Sequence, residues 1–301
     1  MSTFPTPLQP GDTIGVMAPS SHVAKNDMDQ AQKIIEGLGY NVFVHPQTFS
    51  KLGQSAGSAE EKAGALHDLF SNPDIKAVIA AIGGNRASLM LDKIDYDLIK
   101  QNPKPFLGYS DVTVLLNAIY THTDMITYHG PACSTLSRLE PQWHKMALDS
   151  LSGKVTSFSL NDAVAIQNGE ATGHLIGGNL STFQSLVGTP YMPSPKDAIL
   201  FLEDVNDHIS RYDRMLRHLS MAGILQNIAG LIIGEFLNTQ DNPKNPFGFT
   251  MEEIVQEHTK GLNIPIVMNA PFGHGDNQTT FPVGAPIKLT ASEETVSLEI
   301  T

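Results

Sequence analysis

Pro105-Phe106-Leu107-Gly108-Tyr109-Ser110-Asp111-Val112 reads as a short apolar strand that stops at a glycine, exposes one serine and runs into a helix. A serine on such a strand-to-helix turn is held at the end of a sheet, beside the backbone N–H groups of the helix start. That sets a nucleophile next to a partial positive charge able to stabilise an oxyanion. The pattern is G-x-S-x-x and lacks the final glycine of the G-x-S-x-G elbow. The same residues therefore also describe a Ser110 that caps a helix over residues 111–120.

Outward from this turn, strand-like and helix-like segments alternate. Residues 12–18 read as a buried strand ending in Pro19-Ser20-Ser21, and residues 40–45 as a second. Between them Met28, Ala31, Ile34, Ile35 and Leu38 have helical spacing, stopped by Gly39. Ser58 and Glu61 form a capping-box pattern at the head of a helix over residues 58–70. Residues 76–82 are a continuous apolar run, the mark of a central parallel strand covered on both faces, and end in Gly83-Gly84-Asn85-Arg86. A short helix over 87–91 and a strand over 105–108 follow. This alternation predicts βαβ units and a parallel sheet, with ligands outside the carboxyl ends of the strands. The turns at 19–21, 83–86 and 109–111 all fall at such ends.

At 301 residues the chain exceeds the usual size of one core, which predicts two domains. Residues 143–169 show no strong periodicity. The expected division is an N-terminal domain over 1–145, a linker over 146–170 and a C-terminal domain over 171–301. In the last, Gly177-Gly178-Asn179-Leu180 opens a helix, residues 198–202 form a buried strand ending at Glu203-Asp204, and residues 211–221 an amphipathic helix. Strands over 228–233 and 264–268 flank a helix over 251–257, and residues 285–298 close as a hairpin.

The net charge of −12 argues against a nucleic-acid partner, which wants a basic face. No secretory signal is legible in residues 1–9, and no apolar stretch approaches the roughly 20 residues of a membrane span. The single cysteine, Cys133, excludes an intrachain disulfide. The expectation is a soluble cytoplasmic protein with no membrane partner.

Eleven histidines show neither H-E-x-x-H nor H-x-x-E spacing, which disfavours a zinc peptidase. The glycine turns at 83–85 and 177–179 match no nucleotide-binding loop. Cys133 is a nucleophile in principle or a small buried thiol. His274 stands between two glycines after an apolar strand, as a surface-turn residue or an imidazole brought to a ligand. Glu203 ends a buried strand and needs a partner, either Arg211 or Arg214 or a catalytic imidazole. Together His274 and Glu203 could supply a base and its orienting group for Ser110.

Jointly these segments resemble the LD-carboxypeptidase family of serine peptidases, which also includes the microcin C7 immunity peptidases. The resemblance runs from Leu8-Gln9-Pro10-Gly11-Asp12 and Ala18-Pro19-Ser20-Ser21 through Gly83-Gly84, Asn102-Pro103-Lys104 and Gly108-Tyr109-Ser110-Asp111-Val112-Thr113 to His129-Gly130-Pro131. It continues through Gly177-Gly178-Asn179-Leu180, Gly188-Thr189-Pro190-Tyr191, Phe201-Leu202-Glu203-Asp204 and Asp213-Arg214 to Pro271-Phe272-Gly273-His274.

The resemblance implies an α/β protein, with a flavodoxin-like parallel-sheet domain followed by a smaller β-rich α/β domain. It implies a catalytic triad of Ser110, Glu203 and His274, and an oxyanion hole from the backbone of Gly84 and Asp111. Asn85 and Arg86 become substrate-binding candidates, Arg86 as the clamp on a terminal carboxylate. The resemblance further implies a cytoplasmic homodimer that needs no metal or cofactor, with muropeptide tetrapeptides, from which terminal D-alanine is released, as the typical substrates. Many carry Gly-Gly-Tyr-Gly where this chain has Gly83-Gly84-Asn85-Arg86, a stretch that leans toward the microcin branch, while Pro271-Phe272-Gly273-His274-Gly275 leans toward the muropeptide branch. A microcin-type peptidase acting on peptidyl or aminoacyl nucleotides is thus the alternative substrate reading. A non-catalytic binding protein on the same scaffold is the alternative of another class.

Overall fold

Apolar runs separated by helices build a parallel sheet in the first half of the chain. The computed structural model describes residues 2–301 and divides them into two units. In the first, β1 (Thr13–Met17), α1 (Lys25–Gly37), β2 (Asn41–Val44), α2 (Ala59–Ser71), β3 (Ile75–Ala80), α3 (Tyr96–Gln101), β4 (Phe106–Gly108), α4 (Thr113–Thr123) and β5 (Thr127–His129) alternate. The expected helix over 87–91 is only a 3-10 turn at Ala87–Met90, and the crossover helix is α3 instead. The strands lie in the parallel order β2-β1-β3-β4-β5. Two further helices follow, α5 (Cys133–Leu136) and α6 (Pro141–Leu151). From Ala77 to Ala80, β3 is at most 1% exposed, so both faces are covered. Each buried Val or Ile there contributes about 1.5–3 kcal/mol.

The helices form for local reasons. Met28, Ala31 and Ile35 give α1 one buried stripe. The capping box at the head of α2 is present: Ser58 Oγ accepts from Glu61 N at 3.1 Å, and Glu61 Oε2 accepts from Ser58 N at 2.7 Å.

The second unit holds β6 (Ser157–Ser159), β7 (Val164–Gln167), β8 (Gly169–Asn179), α7 (Leu180–Gln184), β9 (Ile199–Val205), α8 (Ile209–Met221), β10 (Gly230–Leu237), α9 (Met251–His258) and β11 (Ile266–Met268). The chain then gives β12 (Phe281–Val283) and ends in the expected hairpin, β13 (Pro286–Ala291) and β14 (Val296–Ile300). The eight-stranded sheet of this unit runs β6-β14-β13-β8-β9-β10-β11-β7. β8 joins its two halves: Gly169 to His174 pair antiparallel with β13, and Leu175 to Asn179 pair parallel with β9.

The expected boundaries need correction. The stretch read as a linker, 146–170, contains the end of α6 and the strands β6 and β7, and the first unit extends to Val155. β6 and β7 are three and four residues long and bury only Phe158 between them, too short for an alternating pattern to show. Nor is 171–301 one continuous domain. Gln278–Ala285 belongs to the first unit, because β12 pairs antiparallel with β5 outside the parallel strands.

Lys104 illustrates how the first unit closes its helix ends. Its buried ammonium donates to Leu69 O at 2.9 Å and to Asn72 O, carbonyls at the C-terminus of α2. Burial lowers its pKa to about 8, and Lys76 adds to the fall. Between that value and the unfolded value near 10.4, the unfolded chain holds a proton that the folded chain has released. Stability from this group therefore rises with pH across that window. The difference in thermal midpoint between the natural chain and Lys104→Met should move in favour of the natural chain from pH 7 to pH 10. A difference that stays flat would contradict the buried ammonium.

Candidate functional site

Ser110 lies where β4 gives way to α4. The strand ends at Gly108, and a 3-10 turn over Ser110–Val112 leads into the helix. Ser110 has φ +60°, a left-handed backbone that a non-glycine residue holds only when its surroundings enforce it. Ser110 is not the helix cap: the residue before the turn is Tyr109, whose side chain makes no capping bond. A half-buried serine on a strained strand-to-helix turn is the geometry of a nucleophile elbow.

The turn after β3 packs on this serine. A Cβ built on Gly83 would lie 2.8 Å from Ser110 Cβ and 3.1 Å from its Oγ, so only glycine fits. Gly83 O accepts from Ser21 N at 3.2 Å. Because the peptide is planar and trans, the N–H of Gly84 points to the side opposite that carbonyl. Asp111 turns its carboxylate to the same loop, where Oδ2 accepts from Ala87 N at 2.8 Å. Burial raises the Asp111 carboxyl pKa, against the pull of the Ser20 hydroxyl, the Ala87 N–H and the Lys62 ammonium. Arg86 is exposed and also left-handed, at φ +77°. The three strand-end turns read from the sequence, at Ser20–Ser21, Gly83–Arg86 and Ser110–Asp111, thus meet in the first unit.

Glu203 and His274 meet in the second unit. Glu203 is fully buried, and its Oε2 lies 2.7 Å from His274 Nδ1. A carboxylate only accepts, so in the neutral imidazole Nδ1 carries the hydrogen and Nε2 keeps the lone pair. Glu203 sits inside β9, paired opposite Asn179 of β8, rather than just past a strand end. The expected alternative, an ion pair with an arginine of α8, is not what forms: Arg211 Nε lies 3.3 Å from Asp207.

Successive strand residues point to opposite faces, so Asp204 turns away from Glu203. It accepts from Ser181 N at 2.8 Å and from Asn179 Nδ2 at 3.1 Å, which fastens the start of α7. Burial raises its carboxyl pKa; the Val205 N–H opposes the rise and the charge of Glu203 adds to it. The loop carrying His274 is shaped by Gly273 at φ +137°, whose added Cβ would lie 3.2 Å from Glu203 Oε2. Gly275 N donates to Glu235 Oε2 at 3.1 Å on the other flank.

Cys133 is fully buried and its thiol is pushed up to about 12, which removes it as a nucleophile. Among the described residues no group of three or more His, Cys, Asp and Glu could hold a metal ion. Nor is any described helix long and apolar enough to cross a membrane. Sequence reading passed over Lys62, whose ammonium lies beneath the Gly83–Arg86 loop. The signal was there: Lys62 shares a helix face with Leu66 and Leu69, where a cation has no business unless it is bonded.

Comparison with known proteins identifies the family. Residues 14–130 match the model of the LD-carboxypeptidase N-terminal domain, and residues 172–289 that of the C-terminal domain. The chain is 32% identical over 301 residues to the probable murein peptide carboxypeptidase of Bacillus subtilis, covering 98% of this chain and 94% of that protein. The crystal structure of an MccF-like protein from Bacillus anthracis superposes with a TM-score of 0.85 at 32% identity, covering 99% of both chains. That of a muramoyltetrapeptide carboxypeptidase from Oxalobacter formigenes gives 0.86 at 28% identity, covering 96% of this chain and 98% of that one. On these matches the chain belongs to the LD-carboxypeptidase family.

Proposed function

We propose that this chain is a serine carboxypeptidase that hydrolyses an LD-peptide bond and releases terminal D-alanine from muropeptide tetrapeptides. The observation that carries the reading is the 2.7 Å bond between His274 Nδ1 and a fully buried Glu203, which aims an imidazole lone pair outward from an oriented ring. The murein and muramoyltetrapeptide carboxypeptidases among its relatives support the substrate class. The same reading assigns it to the cytoplasm, as a homodimer without cofactor or metal.

In this mechanism His274 Nε2 takes the Ser110 proton as Oγ attacks the scissile carbonyl. Glu203 holds the ring and stabilises its cation. The backbone N–H groups of Gly84 and Asp111 bind the oxyanion, each worth roughly 3 kcal/mol to the transition state. The imidazolium then protonates the leaving amine, D-alanine departs, and a water activated by His274 hydrolyses the acyl-serine. Arg86, exposed at the loop beside Ser110, is the candidate clamp for the terminal carboxylate, with Asn85 beside it.

A second reading keeps these residues and changes the substrate to a peptidyl or aminoacyl nucleotide. The likeness to an MccF-like structure favours it, as does Asn85-Arg86 in place of the Tyr-Gly of many muropeptide enzymes. Comparison of kcat/KM on a tetrapeptide ending in D-alanine and on an aminoacyl sulfamoyl nucleoside decides between them; the tetrapeptide should be preferred.

Two variants probe the mechanism. Ser110→Ala should lower D-alanine release by roughly 10³-fold or more with the circular dichroism spectrum intact; undiminished turnover would remove Ser110 from the reaction. Gly273→Ala forces a side chain onto Glu203 at a backbone angle that alanine resists, so kcat should fall by about tenfold or more. The downfield imidazole N–H resonance of the His274–Glu203 bond should vanish with it. An unshifted resonance at normal kcat would show that the loop tolerates the methyl group.

A further inference from the structure

Lys62 is a charged side chain with 1% exposure, on the face of α2 that packs into the first unit. An ammonium is buried at a cost of several kcal/mol unless its donors are used. Two of them are: Nζ donates to Arg86 O at 3.0 Å and to Ser55 Oγ at 3.3 Å. The Arg86 carbonyl belongs to the same peptide group as the Ala87 N–H, and that N–H is bonded to Asp111 Oδ2 at 2.8 Å. One peptide plane is therefore gripped from both sides, its oxygen by Lys62 and its hydrogen by Asp111.

The grip has a purpose at this place. Arg86 is left-handed without being glycine, a conformation that costs about 1 kcal/mol or more unless neighbours enforce it. Fixing the Arg86–Ala87 peptide fixes the end of the loop whose start, Gly83, packs so close to Ser110 that an added Cβ would lie 2.8 Å from Ser110 Cβ. Asp111 is the residue after Ser110, so the clamp ties the loop to the elbow itself. The electrostatics agree: burial lowers the Lys62 pKa while the Asp111 charge raises it, and Lys62 stabilises the Asp111 carboxylate in return.

We propose that Lys62 is a positioning residue: with Asp111 it clamps the Arg86–Ala87 peptide and so sets the Gly83–Gly84 backbone against Ser110. The proposal rests on the reading of Ser110 as the nucleophile. Lys62 touches no reacting atom. Its effect is on the placement of the Gly84 N–H, a group that matters more in the transition state than in the bound substrate. Loss of the clamp should therefore appear in kcat and not in KM.

The test compares Lys62→Met, which fills the volume without a donor, and Lys62→Gln, which keeps a shorter one. Natural chain and Ser110→Ala are assayed beside them on a tetrapeptide ending in D-alanine. Lys62→Met should lose about 10²-fold in kcat with KM within threefold, as expected for a donor displaced by about an ångström. Lys62→Gln should recover part of that loss. If both folded variants keep kcat within twofold, or if the loss lies in KM, the clamp is not what positions the loop. Failure of both variants to fold would make Lys62 a structural residue and overturn the assignment. An active Ser110→Ala is a different failure, because it removes the nucleophile on which the proposal stands.

Discussion

Glu203 sits in the middle of an apolar strand, Ile199–Val205, with no exposed surface, and its carboxylate must be held there. A buried charge is tolerated only when a partner compensates it, and the partner is His274 at 2.7 Å. Much of the second unit follows from this pairing. Neighbouring strands on both sides of β9 bury the carboxylate. Asp204, one residue on, faces the other way and anchors the start of α7, so two adjacent acids do different work. The loop after β11 bends through left-handed Asn269 and Gly273 to deliver the imidazole, and Glu235 holds its far side.

The first unit solves a different problem, that of holding a serine in a conformation serine avoids. Five parallel strands bring their carboxyl ends to one edge, and three of the turns at that edge interlock. Gly83 allows the close approach to Ser110, Ser21 fixes the Gly83 carbonyl, and the Lys62–Asp111 pair fixes the peptide at the end of the loop. Rigid strands and a bonded loop hold the strain, as is common where backbone geometry serves chemistry.

Much of this could be read beforehand because its causes are local. The capping box at Ser58 and Glu61, the stripe of α1 and the apolar run of β3 are short-range patterns, and each element formed within a few residues of its expected bounds. The strand-end turns at 19–21, 83–86 and 109–111 followed from the parallel sheet. What escaped was set by partners distant in sequence. Strands β6 and β7 are too short to show a period, and β12 joins the first unit by pairing with β5, some 150 residues earlier. Glu203 was expected at a strand end because charge usually stops a buried strand; pairing with Asn179 carries the strand past it. The position of Lys62 on the apolar face of α2 was legible, but not its role, because one of its two partners, the Arg86 carbonyl, lies on a loop 24 residues away.

In the proposed mechanism Ser110 is the nucleophile and the oriented His274 activates it. Inactivation by a fluorophosphonate, followed by intact mass and peptide mapping, tests it most directly. One adduct per chain is expected, on Ser110, with loss of D-alanine release in step with labelling and labelling abolished in His274→Ala. Inactivation that tracks an adduct on another residue, or full activity in a chain labelled on Ser110, would contradict it.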